Sequence, residues 1–216
     1  MGSLAGINRP ERSEPPRCIR HIPCPTLSQV MTLSPGSRTG LAAILAGLLY
    51  FAGQAGELAF GNALNPLWVA LVTLGIAAFV VAIWGLGGLV STRTGRIGWR
   101  VCIAGAVLLG LFAVQAVITL ALTGDIPGNF ILFGLGLLLL FVGQVLIATA
   151  LRDALGRAWI LPLVGAAGII VAITLNIDPI HDIGLFVFEG AWVALGIALL
   201  RRERQHRAGN AASALV

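Results

Sequence analysis

The stretch "LFVFEGAWVALGIALLRRER", residues 185–204, decides how this chain is read. Its apolar part holds one charged side chain, Glu189, and its end holds Arg201, Arg202 and Arg204. A helix needs about 20 apolar residues to cross a bilayer core at 1.5 Å per residue. Residues 183–200 fall within the range for such a crossing, with the arginines as its anchor. Glu189 is the feature that a simple crossing does not need.

The rest of the chain has the same character. Of 216 residues, 57% are hydrophobic and 11% charged, with a mean hydropathy of +0.94. Soluble domains carry roughly a quarter charged residues, so lipid is the expected solvent. All 14 basic residues are arginine, a bias that suggests a GC-rich bacterial genome. The chain carries a net charge of +5. The placement of the arginines explains this better than nucleic-acid binding does, and no nucleic-acid partner is expected. Cys18, Cys24 and Cys102 form neither a disulfide framework nor a zinc pattern.

Residues 1–38 show neither helical nor strand period and read as a disordered tail, with Met31 as an alternative natural start. Six apolar runs follow, at about 40–60, 66–90, 101–123, 130–151, 158–176 and 183–200. Asn65 before Pro66, and Asn129, suit helix N-caps, and Pro162 suits a first turn. Residues 201–216 form a basic tail. The fold class read from this pattern is all-α: a polytopic transmembrane bundle of six helices in three antiparallel hairpins, with disordered tails. A competing reading makes the first run a cleaved signal peptide, although it is longer than the usual apolar region of one. Similar settings of Gln54 and Gln115 also suggest a degenerate repeat of a two-helix unit.

The connections give the threading. Arg93, Arg96 and Arg100 lie in one, Arg152 and Arg157 in another, and the remaining arginines in the two tails. The alternate connections hold no arginine and contain Asp125, Asp178 and Asp182. Cytoplasmic loops carry the arginine excess. Both termini are therefore expected in the cytoplasm of a cell-membrane protein whose arginines anchor it in lipid headgroups.

Few residues in the runs can do chemistry. The runs contain no His, Ser, Lys or Arg, so intramembrane serine hydrolysis and haem ligation by helix histidines are not expected. No phosphate-cradling loop, cofactor motif or metal motif appears, and Asp178, His181 and Asp182 give only a weak metal pattern. The chain is not read as an enzyme, and neither a metal nor a cofactor is expected. The polar residues within the runs are Gln54, Glu57, Gln115, Gln144 and Glu189. Glu57 lies near the outer end, within reach of water.

Glu189 is roughly 9 Å deep by helix rise. An ionised acid at mid-helix costs about 2.5–3.5 kcal/mol on insertion scales. Either Glu189 is neutral and hydrogen-bonded to a neighbour such as Gln54 or Gln115, or it faces an outward aqueous cavity. Glu189, Glu57, Gln54 and Gln115 form the candidate intramembrane site, with Asn176, Asp178, His181 and Asp182 as an outer vestibule. Gly190, Ala194 and Ala198 form a small-residue face on the last helix, suited to packing in the bundle, to a homo-oligomer or to a membrane-protein partner. The leading expectation is a non-catalytic structural, regulatory or accessory membrane component. The alternative is a small transporter or channel, proton-coupled, that uses Glu189 with Glu57 in an outward-facing polar cavity.

Overall fold

The computed structural model describes residues 34–60, 65–124, 131–175 and 180–213, which are almost entirely helical. Among them are α1 (Pro35–Phe60), α2 (Asn65–Leu86), α3 (Arg93–Thr123), α4 (Ile131–Leu155), α5 (Leu161–Leu175) and α6 (Ile180–Ser213). Short 3₁₀ turns at Gly87–Leu89 and Gly156–Ile160 extend α2 and join α4 to α5. Five helical stretches are long and apolar enough to cross a membrane, one fewer than the six expected. The difference lies in α4 and α5. Ile131–Thr174 forms one 44-residue apolar helical stretch, and α5 alone has only 15 residues.

Local chemistry sets several boundaries. The Ser37 N–H donates to Ser34 Oγ at the start of α1, and the Gly95 N–H donates to Thr92 Oγ1 at the start of α3. These hydroxyls satisfy amides that a first turn leaves unpaired. Gly124 ends α3 at φ 77°, where its N–H donates to the Leu120 carbonyl. Gly156 at φ 54° breaks the chain between α4 and α5. Both conformations favour glycine because it has no Cβ. Pro162 lies in the first turn of α5, as expected. Asn129 lies outside the described residues.

Two polar segments expected outside the helices are helical. Arg93–Arg100 forms the first turns of α3. Residues 201–213, read as a disordered tail, continue α6. Arg, Glu, Gln and Ala are good helix formers in water, and Glu203 pairs with Arg207 at 3.3 Å. At 1.5 Å per residue α6 is about 51 Å long, well beyond a hydrocarbon core of about 30 Å. Its arginine end therefore projects past the apolar part.

The helices pack in a ring in chain order, and α6 closes it against α1. Close approach at glycine tightens the closing seam. A Cβ on Gly47 would lie 2.6 Å from the Glu189 carbonyl oxygen, and one on Gly40 would lie 2.9 Å from the Gly196 carbonyl oxygen. Gly105 and Gly136 bring α3 to α4 in the same way, and Gly168 and Gly184 bring α5 to α6. Gly165 of α5 lies against Gln144 of α4, so the chain doubles back between them. The starts of α1 and α3 lie with the ends of α2, α4 and α6, which places the arginines among the described residues at one end of the bundle. The outside is apolar, with Trp84, Leu122 and Ile131 among its exposed side chains.

Candidate functional site

The centre of the ring holds an acid. Glu189 is 1% exposed, and neither carboxyl oxygen has a hydrogen-bond partner. It lines a small cavity of about 20 Å³ with Tyr50 of α1, Phe79 of α2 and Trp192 of α6. That volume holds about one water. The indole N–H of Trp192 also lacks a partner. A buried, unpaired polar group costs about 1–3 kcal/mol, more when charged. Both unpaired groups border the same water-sized cavity.

The expected hydrogen bond from Glu189 to Gln54 or Gln115 is not formed. Gly47 abuts the Glu189 backbone, so Gln54 lies seven residues, or about 10 Å, farther along α1. Gln115 is similarly displaced from Leu109, the α3 residue that lines the cavity. Neither amide reaches.

Gln54 and Glu57 instead line a separate cavity of about 310 Å³ at the end of the bundle away from the arginines. Trp68 and Thr73 of α2, Phe112 of α3 and Phe133 of α4 form other parts of its wall. Tyr50 and Ile76 line both this vestibule and the small cavity. They lie between Glu189 and the larger cavity. Glu57 is exposed, as its depth predicts, and Gln54 is half-buried with its carbonyl oxygen unpaired.

Other expected members are not brought together here. Gln115 is half-buried and does not line the vestibule. His181 and Asp182 are half-buried at the start of α6 and line neither cavity. His181 Nδ1 lies 2.9 Å from the Ala172 carbonyl oxygen, tying α6 to α5. Asn176 and Asp178 lie outside the described residues. Among the described residues, no group of three metal-ligating side chains forms.

Of the uses expected for the small-residue face on α6, packing inside the bundle is not what Gly190 does. Gly190 is exposed and a Cβ there would meet nothing within 4 Å. Ala194 and Ala198 are half-buried along a surface groove. The internal seams use Gly184 and Gly196 instead. Arg93, Arg96, Arg100, Arg152, Arg157, Arg201 and Arg204 are exposed, and Arg202 is half-buried.

Tyr50 and Trp192 were not singled out from sequence. Tyr50, Gln54 and Glu57 follow i, i+4, i+7 spacing, which puts them on one face of α1. That spacing, and the position of the chain's one tyrosine in it, was the available signal. Gln144 is a second buried polar group, 1% exposed with both amide atoms unpaired. Comparison with protein-family models, curated proteins and solved structures finds no match.

Proposed function

We propose that this is a small proton-coupled transporter or channel of the cell membrane, with Glu189 as the group that takes up and releases the proton. The chain crosses six times as three antiparallel hairpins, α1 with α2, α3 with α4 and α5 with α6. Both termini are cytoplasmic, and the vestibule opens outward. The arginines at one end support this orientation by the positive-inside rule. The observation that carries the function is the unpaired Glu189 carboxyl in a water-sized cavity, separated from the Glu57 vestibule by Tyr50 and Ile76. Intramembrane acids facing a bundle interior mark ion or proton pathways. A small movement of the Tyr50 ring would join the two spaces and let water deliver a proton.

A second reading, a non-catalytic structural or accessory component, is favoured by the closure of the arginine half. Ile83, Leu86, Leu151 and Leu195 are buried to 2% exposure or less. Proton flux separates the readings. Purified protein in liposomes with an internal pH dye would be placed under an imposed pH gradient. The transport reading expects flux above empty liposomes, lost in Glu189→Gln and lowered in Glu57→Gln. Equal flux in wild type and Glu189→Gln removes Glu189 from the function.

A further inference from the structure

The arginine end carries a second cavity, outside the ring and away from Glu189. It is an open groove of about 650 Å³ between the end of α4 and the outward side of α6. This volume lies within the roughly 300–1,000 Å³ of small-molecule sites. Its two ends differ in chemistry. Toward the membrane, Ala194, Ile197 and Ala198 give a shallow apolar floor, with Leu155 on the facing wall. Toward water, Arg201 and Arg202 line it with Gln205. From Ala194 to Arg201 is seven residues, or about 10 Å along the helix.

The sequence explains why the groove is open. Alanine at 194 and 198 leaves α6 thin on this side. Gly156 at φ 54° turns the chain from α4 into α5, and a Cβ there would meet nothing within 4 Å. Glu203 pairs with Arg207 rather than with either groove arginine. The groove thus offers two guanidiniums and an amide above an apolar trough.

We propose that this groove binds one anionic phospholipid, with its phosphate at Arg201 and Arg202 and an acyl chain over Ala194 and Ala198. Charge complementarity selects the headgroup, and guanidinium matches phosphate in a two-pronged geometry. The apolar floor selects an acyl chain over a free anion. The proposal rests on membrane insertion and is independent of the role of Glu189.

The test uses the full chain in detergent, offered equal phosphatidylglycerol and phosphatidylcholine and read by native mass spectrometry. One phosphatidylglycerol adduct is expected in preference to phosphatidylcholine. Replacing both arginines, Arg201→Gln with Arg202→Gln, is expected to weaken it about 30-fold, at about 1 kcal/mol per arginine. Ala198→Leu fills the trough and is expected to remove the adduct while both arginines remain. Arg93→Gln with Arg96→Gln, elsewhere at the same end, is expected to leave it unchanged. Equal binding of the two lipids, an equal loss in the Arg93 and Arg96 variant, or binding of glycerol phosphate as tight as the lipid overturns the proposal. So does a dimer in place of a lipid adduct. Arg201 is exposed and Arg202 half-buried, neither in the core, so their variants remain informative even if Ala198→Leu folds poorly.

Discussion

The two halves of this ring use the same helices in opposite ways. On the arginine side, Ile83, Leu86, Leu151, Leu195 and Leu199 meet at the centre, none more than 4% exposed. On the other side the walls separate around a space of about 310 Å³ edged by Gln54 and Glu57. Glu189 lies between the two, with Tyr50 and Ile76 on its open side. Large aliphatic side chains filling the axis make a seal. Aromatic side chains over Ala113 and Ala116 leave a recess. The contrast leaves Glu189 next to a cavity on one side and a packed apolar axis on the other, with Tyr50 and Ile76 lining both the small cavity and the larger one.

Substitutions in the two halves should therefore differ in cost. Leu151→Ala empties a fully buried site in the seal and is expected to cost about 2–5 kcal/mol. Val72→Ala, beside the vestibule and half-buried, is expected to cost less than about 1.5 kcal/mol. Thermal unfolding in detergent compares them, and equal losses would remove the distinction between seal and recess.

The next contrast lies between a packed seam and an exposed face. Gly47→Leu drives a side chain into the Glu189 carbonyl and Val193, at an expected cost of about 1–3 kcal/mol or more. Gly190→Leu enters open space and should stay within about 0.5 kcal/mol. The same melts give both values, and a heavy loss at Gly190 would show that its face is packed.

Glu189 tests the cost of the site itself. Glu189→Leu removes two unpaired buried oxygens and is expected to raise stability by about 1–3 kcal/mol. A clear loss of stability on unfolding in denaturant would mean that the carboxyl is a structural partner.

The smallest effect lies outside the membrane. The Ser34 hydroxyl, followed by the Arg207 guanidinium, holds the Glu203 carboxyl below its usual range. A depressed carboxyl stabilises the fold above its unfolded value, near about 4.3, and that contribution is lost as pH falls through that value toward the folded one. The effect should be below about 1 kcal/mol. Melting curves of Glu203→Gln should show a weaker acid dependence than wild type.

Much of this was legible in the sequence, and the reasons it was limited are physical. The apolar runs report where lipid lies, so the helical cores and the arginine asymmetry could be read directly. They do not report where a helix ends. Arg93–Arg100 and residues 201–213 are polar yet helical, because arginine, glutamine and alanine continue a helix into water. Depth along a helix gave the burial of Glu189 and the exposure of Glu57. Rotation about the axis depends on neighbours, and that is where Gln115, His181 and Asp182 were misplaced. Which small residues of α6 pack inside the bundle depends on rotation in the same way. Small residues occur on more than one side of that helix, and the ring order decides that Gly184 and Gly196 pack while Gly190 does not.

The central claim is that the Glu189 proton exchanges with water through the vestibule. Infrared difference spectra of the protein in membranes, recorded on transfer from H₂O to D₂O, test it directly. The account predicts a protonated-carboxyl band that shifts promptly on transfer, is missing in Glu189→Gln, and shifts more slowly when Ala113→Leu narrows the vestibule. A Glu189 band that stays unshifted while the exposed amides exchange would contradict it, and would make Glu189 a sealed structural residue.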